Sequence, residues 1–116
     1  MQRNIKPMDI WMVSLTDTLG TEQRGQRPAI IIAIHSQANV CMVVPLTSNL
    51  DASKFSYTHK IECTSDNELS VDSIALVFQM RTLTISAGRF LSKVGVIEQN
   101  HFDNVKALIK DYLQIV

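Results

Sequence analysis

Two arginines precede a long apolar segment, in a loop that contains two glycines. The segment reads GTEQRGQRPAIII, and it places Arg24 and Arg27 shortly before a run of isoleucines. A guanidinium is permanently charged, and its planar fork of donors fits the oxygens of a phosphate diester. Pro28 restricts Arg27 to an extended backbone, which directs the side chain outward at the start of a strand. Gly20 and Gly25 allow positive φ and close approach of a ligand. These features predict a phosphate clamp, although an ordinary basic surface loop has the same composition.

A second polar group, Thr47-Ser48-Asn49, follows another apolar run. Residues 29–34 and 40–46 are rich in β-branched side chains and are joined by a short polar stretch, which predicts a hairpin at the centre of a sheet. In an antiparallel hairpin the start of the first strand lies beside the end of the second, so Arg27 and Thr47 are expected to be near neighbours. Without that pairing, the three polar residues indicate only a turn.

The remaining segments favour a small, mainly β structure with a C-terminal helix. Pro45 cannot donate to a neighbouring strand, so its strand is expected to meet an edge or a bulge near its end. Towards the C-terminus the apolar period becomes helical, with Asp103 early and Lys106 and Lys110 later, as the helix dipole prefers. The pattern predicts a compact, partly open β-barrel. Its predicted elements are six strands, at 9–15, 29–34, 40–46, 57–63, 73–78 and 90–97, and an amphipathic helix from Phe102 to Val116.

Other catalytic and metal-binding patterns are missing from the sequence. His35, His59 and His101 are scattered, without an H-E-x-x-H, paired-cysteine or D-x-D pattern. His35 and His59 are expected to be structural. The sequence has no nucleophile elbow, P-loop or dinucleotide fingerprint. Cys41 and Cys63 lie in apolar strand-like runs and are expected to be buried free thiols, which suits a reducing cytosol. We therefore expect neither a metal nor another cofactor.

The length and the charge of the chain limit the kinds of protein that it can be. A chain of 116 residues predicts one domain, spanning 1–116, and 46% hydrophobic with 19% charged residues excludes a disordered tail. With 11 basic and 11 acidic residues the net charge is zero, so any site for a polyanion must be local. No stretch approaches the roughly 18 apolar residues of a membrane span, and no signal peptide is evident. A soluble, cytoplasmic protein is expected.

Four motifs occur in a specific order and spacing. They are Asp9-Ile10-Trp11, Leu19-Gly20-Thr21-Glu22-Gln23 followed by Arg27-Pro28, Pro45-Leu46-Thr47-Ser48, and Gln79-Met80-Arg81-Thr82. In this arrangement, nearly end to end, the chain resembles the MazF/PemK-type toxins, the ribonuclease halves of bacterial type II toxin–antitoxin pairs. The resemblance implies a small Src-homology-3-like barrel with a C-terminal helix. It also implies a homodimer whose interface groove holds single-stranded RNA.

The resemblance further implies an activity. Members cleave RNA at short sequences without a metal and leave a cyclic phosphate and a 5′-hydroxyl. This agrees with the chemistry of RNA, whose 2′-hydroxyl is an internal nucleophile that needs chiefly orientation and charge stabilisation. In one branch of the family the arginine of the R-P pair and the threonine that ends the hairpin are catalytic. Those positions are Arg27, assigned to the developing phosphorane charge, and Thr47, assigned to orienting the phosphate.

Further residues are candidates for contacts with RNA by the same resemblance. Arg24 is expected to contact the RNA backbone. Gln79 and Arg81 are expected to contact bases or backbone, although Arg81 could equally form a structural salt bridge. Glu22 either holds an arginine, contacts a base or is an exposed carboxylate. The complete RNA-binding set is Glu22, Gln23, Arg24, Ser48, Gln79 and Arg81.

The sequence departs from one branch of the family. The plasmid Kid type places an arginine and an aspartate just before the Q-x-R-T motif, as an acid–base pair, and those positions are Leu76 and Phe78 in this chain. That version of the mechanism cannot operate here. Phe78 is expected to fill the core, and stacking on a base is the alternative.

The expected partner is a cognate antitoxin whose acidic, disordered tail covers the basic groove. Two other functions fit the same barrel. One is a non-enzymatic gyrase poison of the CcdB kind, acting through the C-terminal helix, and the other is a barrel that binds RNA or protein without cleaving it. Arg27-Pro28 together with Thr47 favours the ribonuclease.

Overall fold

The computed structural model describes residues 4–15, Gly20 and residues 25–115. The seven strands of these residues form one antiparallel sheet in the order β4-β5-β3-β2-β1-β7, with β6 beside β3. No helix in this part of the chain is long and apolar enough to cross a membrane. The strands are β1 Asp9–Ser14, β2 Gln26–His35, β3 Val40–Thr47, β4 Thr58–Ile61, β5 Ser73–Leu76, β6 Arg81–Thr84 and β7 Phe90–Val96. Two 3-10 turns, Leu50–Lys54 and Val77–Gln79, and a helix, α1 Gln99–Tyr112, complete the elements.

The central strands β1, β2 and β3 bury side chains on both faces. Ile10 and Ile30 belong to one apolar core, whereas Val13 and Ile31 belong to another. Consecutive side chains of a strand point to opposite faces, so a strand covered on both sides is apolar throughout. This double burial explains the unbroken isoleucine run. The helix α1 covers the first core through Phe102 and Val105, which are buried. The predicted fold class, mainly β with a C-terminal helix, is confirmed.

Strand β3 changes its partner near its end. On one edge it pairs with β6 as far as Val43 and with β5 from Leu46 onward, while β2 runs along the other edge. Pro45 lies at this change of partner, in agreement with the irregularity that its missing N–H predicts. Thr47 is the last residue of β3 and pairs with Ile74 of β5.

Several predicted boundaries are wrong. The predicted strand 73–78 ends at Leu76 and continues as a 3-10 turn, in which the N–H of Met80 donates to the carbonyl of Val77. The strand predicted over 57–63 begins only at Thr58, because Tyr57 has a φ of 60°, and it ends at Ile61. The helix begins at Gln99 and ends at Tyr112, whereas Val116 lies outside the described residues. Strand β6 was not predicted, since only one of its four side chains is buried.

A buried carboxylate explains the Asp9-Ile10-Trp11 motif. Asp9 accepts hydrogen bonds from the backbone N–H of Lys6 (3.0 Å) and from the indole N–H of Trp11 (3.1 Å), and it pairs with Lys93 of β7 at 3.4 Å. A buried charge is stable only when it is paired and hydrogen-bonded in this way. The motif therefore attaches the start of β1 to the neighbouring strand β7, and its role is structural.

Asn67 lies fully buried in the connection between β4 and β5. Its Oδ1 accepts from the backbone N–H groups of Thr64 (3.1 Å) and Leu69 (3.0 Å). Its Nδ2 donates to the carbonyl of Glu62 (2.9 Å) and to the carboxylate of Glu98 (3.0 Å), the residue before α1. The amide thus fills both its acceptor and its donor positions. One side chain ties the polar connection to the start of the helix.

The surroundings of Glu98 and Gly95 strengthen this junction. Burial raises the pKa of Glu98, but hydrogen bonds from Thr64 and Asn67 and the charge of His101 outweigh it, so the pKa lies below its ordinary value. Gly95 of β7 packs directly on the backbone of Asn67, and a Cβ at this glycine would collide with the Asn67 carbonyl oxygen. The glycine is therefore required by a close approach of two backbones.

Two histidines join α1 to β4. His59 Nε2 and His101 Nδ1 are 2.8 Å apart, with one nitrogen donating and the other accepting, and both rings are half-buried. Burial, and then the proximity of His101, lowers the pKa of His59. A hydrogen bond between two imidazoles requires that at least one ring be neutral, because two imidazolium rings have no acceptor. The prediction of a structural role for His59 agrees with this contact.

We expect the stability of the protein to decrease over the acidic interval that begins near pH 6.5, the ordinary pKa of histidine. The lowered pKa of His59 means that the unfolded chain takes up the proton more readily than the folded one, so stability is complete above 6.5 and is lost as the pH falls below it. The melting temperature should drop by a few degrees over this interval. His59→Gln should remove the drop, whereas His35→Gln, at an exposed turn, should keep it. An equal slope in all three proteins would show that the pair does not contribute.

Candidate active site

The β2–β3 hairpin brings the predicted catalytic residues to the same end of the sheet. Its register pairs Ala29 with Pro45, so Arg27 of β2 and Thr47 of β3 both lie beyond that pair, at the same end of the hairpin. Arg27 is half-buried within β2 and pairs on its other side with Val13 of β1. The extended backbone that Pro28 predicts for Arg27 is confirmed. The pairing with β1 holds the backbone of Arg27 in the sheet.

Thr47 is held by the turn that follows it. Its side chain is buried, with 7% of its surface exposed, and its Oγ1 accepts from the N–H of Asn49 at 3.2 Å. Asn49 in turn accepts from the N–H of Asp51 at 3.1 Å and caps the first 3-10 turn. The three polar residues thus form a turn, as their composition indicates, and this turn also fixes the threonine hydroxyl.

Two cavities open at the end of β3, one on each side of it. The first, here called the Phe cavity, has a volume of about 580 Å³, and the second, the Arg27 cavity, about 380 Å³. Leu46 and Ser48 line the Arg27 cavity, whereas Thr47 and Asn49 line the Phe cavity, as the alternation of side chains along a strand requires. The Phe cavity is lined by Thr47, Asn49, Asp51, Ala52, Lys54, Phe55, Leu76, Phe78 and Gln79.

The predicted site residues fall into separate groups. Arg27 and Ser48 share the Arg27 cavity, and Thr47 and Gln79 share the Phe cavity. The structure does not place Arg27 and Thr47 in one cavity, although both lie at the same end of the β2–β3 hairpin. Arg81 pairs with Val43 within the sheet and lines neither cavity. Glu22, Gln23 and Arg24 lie outside the described residues, so their predicted roles stay predictions.

The glycines of the arginine loop have the predicted backbone. Gly20 has a φ of 61° and Gly25 a φ of 74°, and a side chain is rarely tolerated at these angles. The N–H of Leu15, just after β1, donates to the carbonyl of Gly25 at 2.8 Å, and this hydrogen bond joins the two ends of the loop. Both glycines therefore serve the backbone geometry that leads into Arg27.

Phe55 and Glu68 are cavity residues that the sequence did not single out. Phe55 lines the Phe cavity with 52% of its surface exposed, and Glu68 lines the Arg27 cavity. The signal for Phe55 was present, since one aromatic residue stands within the polar stretch SNLDASKFS. Glu68 gave no such signal, because it is one acidic residue among several in a polar connection.

The two residues at the positions of the Kid-type acid–base pair, Leu76 and Phe78, pack among apolar side chains. Leu76 is buried and ends β5, and Phe78 is half-buried in the second 3-10 turn. Phe78 packs on a small cluster formed by Ala52, Ile74 and Leu76. It also lines the Phe cavity, so it is both a packing residue and a cavity wall.

Neither cysteine lines the Phe cavity or the Arg27 cavity. Cys41 is buried, as predicted, and burial raises the pKa of its thiol to about 11, so it is a poor nucleophile. The prediction for Cys63 is wrong, because β4 ends at Ile61 and leaves this thiol exposed. Among the described residues, no group of three or more histidine, cysteine, aspartate or glutamate side chains could hold a metal ion.

The chain is similar in sequence or in fold to several known proteins. The endoribonuclease MazF9 of Mycobacterium tuberculosis is 28% identical over 116 residues, covering 92% of this chain and 94% of its own. MazF of Deinococcus radiodurans has a similar fold, with a TM-score of 0.80 at 18% identity over 96% of this chain and 97% of that one. A mycobacterial endoribonuclease in complex with its cognate antitoxin has a TM-score of 0.68 at 13% identity, covering 95% of each chain.

The chain also matches a protein family over most of its length. Residues 6–113 match the family described as the PemK-like, MazF-like toxins of type II toxin–antitoxin systems. The matched region includes all the described strands, α1 and both cavities at the end of β3. The chain therefore belongs to the PemK-like, MazF-like toxin family of type II toxin–antitoxin systems.

Proposed function

We propose that this toxin is an endoribonuclease that cleaves single-stranded mRNA at short sequences, by attack of the 2′-hydroxyl on the adjacent phosphate and without a metal. The observation that carries the proposal is the position of Arg27, whose permanent charge stands at the strand end where the hydroxyls of Thr47 and Ser48 also lie. RNA brings its own nucleophile, so such a site has to supply orientation and charge stabilisation.

Each residue has a distinct role in this proposal. The Arg27 guanidinium stabilises the negative charge that develops on the phosphorane oxygens, where its planar fork can donate two hydrogen bonds. Thr47 orients the scissile phosphate through a hydroxyl that the turn at Asn49 already fixes. Ser48, Gln79 and Arg81, together with Glu22, Gln23 and Arg24, contact the RNA on either side.

The proposed partners follow from the same family. The activity resides in a single domain, 1–116, which assembles as a homodimer and acts in the cytoplasm, where mRNA is available. A cognate antitoxin inhibits it by covering the RNA-binding surface. Support comes from solved complexes of related folds, namely MazE–MazF of Deinococcus radiodurans and the mycobacterial endoribonuclease with its antitoxin.

We expect the purified protein to cleave single-stranded RNA in the presence of EDTA. The products should carry a cyclic phosphate and a 5′-hydroxyl, which can be labelled directly by a polynucleotide kinase without prior phosphatase treatment. A substrate with one 2′-deoxyribose at the cleaved position should stay intact, because it lacks the nucleophile. Intact RNA across varied sequences under these conditions would contradict the proposed function.

A further inference from the structure

An aromatic pair lines the Phe cavity beside Thr47. The rings of Phe55 and Phe78 meet edge to face, with centroids 5.9 Å apart and an interplanar angle of 66°. Phe78 rests on apolar side chains, whereas about half of Phe55 is exposed. The pair therefore presents an anchored but accessible aromatic surface at one side of the proposed active site.

The exposure of Phe55 is fixed by its backbone. Its N–H donates to the carbonyl of Ala52 at 3.1 Å and ends the first 3-10 turn, and its carbonyl accepts from the Thr58 hydroxyl at 2.8 Å. The side chain therefore projects from a segment that is hydrogen-bonded on both sides. A half-exposed aromatic ring that is held in this way at the wall of a cavity offers a stacking surface to a flat ligand.

The rest of the cavity wall suits a flat, neutral group with polar edges. Amide side chains of Asn49 and Gln79 and the opposite charges of Asp51 and Lys54 surround the aromatic pair. The Lys54 ammonium lies 5.4 Å from the centre of the Phe55 ring. Opposite charges together with amides and aromatic rings match a nucleobase, which stacks through its face and hydrogen-bonds through its edges. The volume, about 580 Å³, is within the range of small-ligand sites.

From this arrangement we propose that the Phe cavity is a nucleobase-binding subsite, in which Phe55 and Phe78 stack on a base of the nucleotide next to the scissile phosphate. The inference rests on the proposed function, because the subsite adjoins the phosphate only if Thr47 orients it. Asn49 and Gln79 then contact the edge of that base, so the cavity contributes to the choice of cleavage sequence.

Substitutions of Phe55 test the subsite without disturbing the core. Phe55→Ala should weaken RNA binding about 5- to 150-fold, which is the usual effect of losing one base stack. Phe55→Tyr should bind nearly as well as the native protein, whereas Phe55→Leu, which keeps an apolar side chain without a ring, should not. Leu113→Ala, which removes an equally exposed apolar side chain from the end of the helix, is the matched control and should bind normally.

A series of RNA oligonucleotides, each with one abasic position, locates the base. At one position next to the cleaved bond, loss of the base should weaken binding to the native protein as much as Phe55→Ala does, and the two changes together should add little. Binding is measured by fluorescence anisotropy with 2′-deoxy-substituted oligonucleotides, which cannot be cut, and cleavage is measured separately.

The two readouts separate the subsite from the proposed function. Cleavage that is normal in Phe55→Ala, with binding that is equally weakened at every abasic position, would overturn the subsite and leave the nuclease intact. Binding that depends on the Phe55 ring without any cleavage of native RNA would support the subsite and overturn the nuclease. RNA binding by Phe55→Leu that equals that of the native protein would show that an apolar side chain without a ring suffices, and would overturn base stacking.

Discussion

Arg27→Ala is expected to lower the rate of RNA cleavage by about 10³- to 10⁵-fold, the effect seen when an arginine that stabilises a phosphoryl transition state is removed. The charge of the phosphorane exists only in the transition state, so the loss should fall on kcat much more than on KM. Arg27→Lys keeps a positive charge but loses the planar fork, and an intermediate rate is expected. Single-turnover cleavage of a defined oligonucleotide measures each rate.

Controls must separate lost chemistry from lost structure, because Arg27 is half-buried within β2. The circular dichroism spectrum and melting temperature of Arg27→Ala should remain close to those of the native protein. Lys110→Ala, at an exposed position on α1, removes a positive charge that lines neither cavity and should cleave normally. A folded Arg27→Ala protein that retains at least a tenth of the native rate would remove Arg27 from the catalytic machinery.

Asn67→Ala is expected to lower the free energy of unfolding by about 2–4 kcal/mol. The substitution leaves the buried N–H of Leu69 without its acceptor and the carboxylate of Glu98 without its amide donor. Typical stabilities are about 5–15 kcal/mol, so this is a large part of the total. Urea unfolding, followed by tryptophan fluorescence of Trp11, measures the change.

Two further variants identify the part of the amide that matters. Asn67→Asp keeps the acceptor oxygen but sets a carboxylate against Glu98, so it should also be destabilised, and more strongly at pH 7 than at pH 4. Asn104→Ala, an exposed asparagine on α1, should change stability by no more than about 0.5 kcal/mol. A loss below about 1 kcal/mol in Asn67→Ala would mean that water replaces the amide.

The central strands and the helix were predictable because each has a clear apolar pattern. Two strands buried on both faces give unbroken apolar runs, and Phe102 and Val105 recur at helical spacing. The short elements were not predictable, since β6 has one buried side chain, Leu83, and takes its place through pairing with β3. Cys63 was misjudged for a related reason, because alternation continues in the sequence beyond the residue at which pairing stops.

The residues at the end of the hairpin were predictable from the sequence, whereas the cavities that they line were not. Hairpin pairing correctly brings Arg27 and Thr47 to one end of the sheet. The two cavities could not be predicted, because residues distant in sequence complete them, among them Phe78 in the Phe cavity and Glu68 in the Arg27 cavity. Asn67 could not be recognised either, because its partners Glu62, Thr64 and Leu69 belong to the same polar connection, and only the folded chain brings Glu98 to its amide.

The alternation at the end of β3 also bears on which RNA can react. If one RNA strand contacts both Arg27 and Thr47, it must cross the strand end, and the nucleotides before and after the crossing then face the two separate cavities. Adjacent bases turned to opposite sides cannot stay stacked on each other or paired within a regular duplex. A base-paired region would therefore not fit the site. The secondary structure of an mRNA, and not only its sequence, would then determine where it is cut.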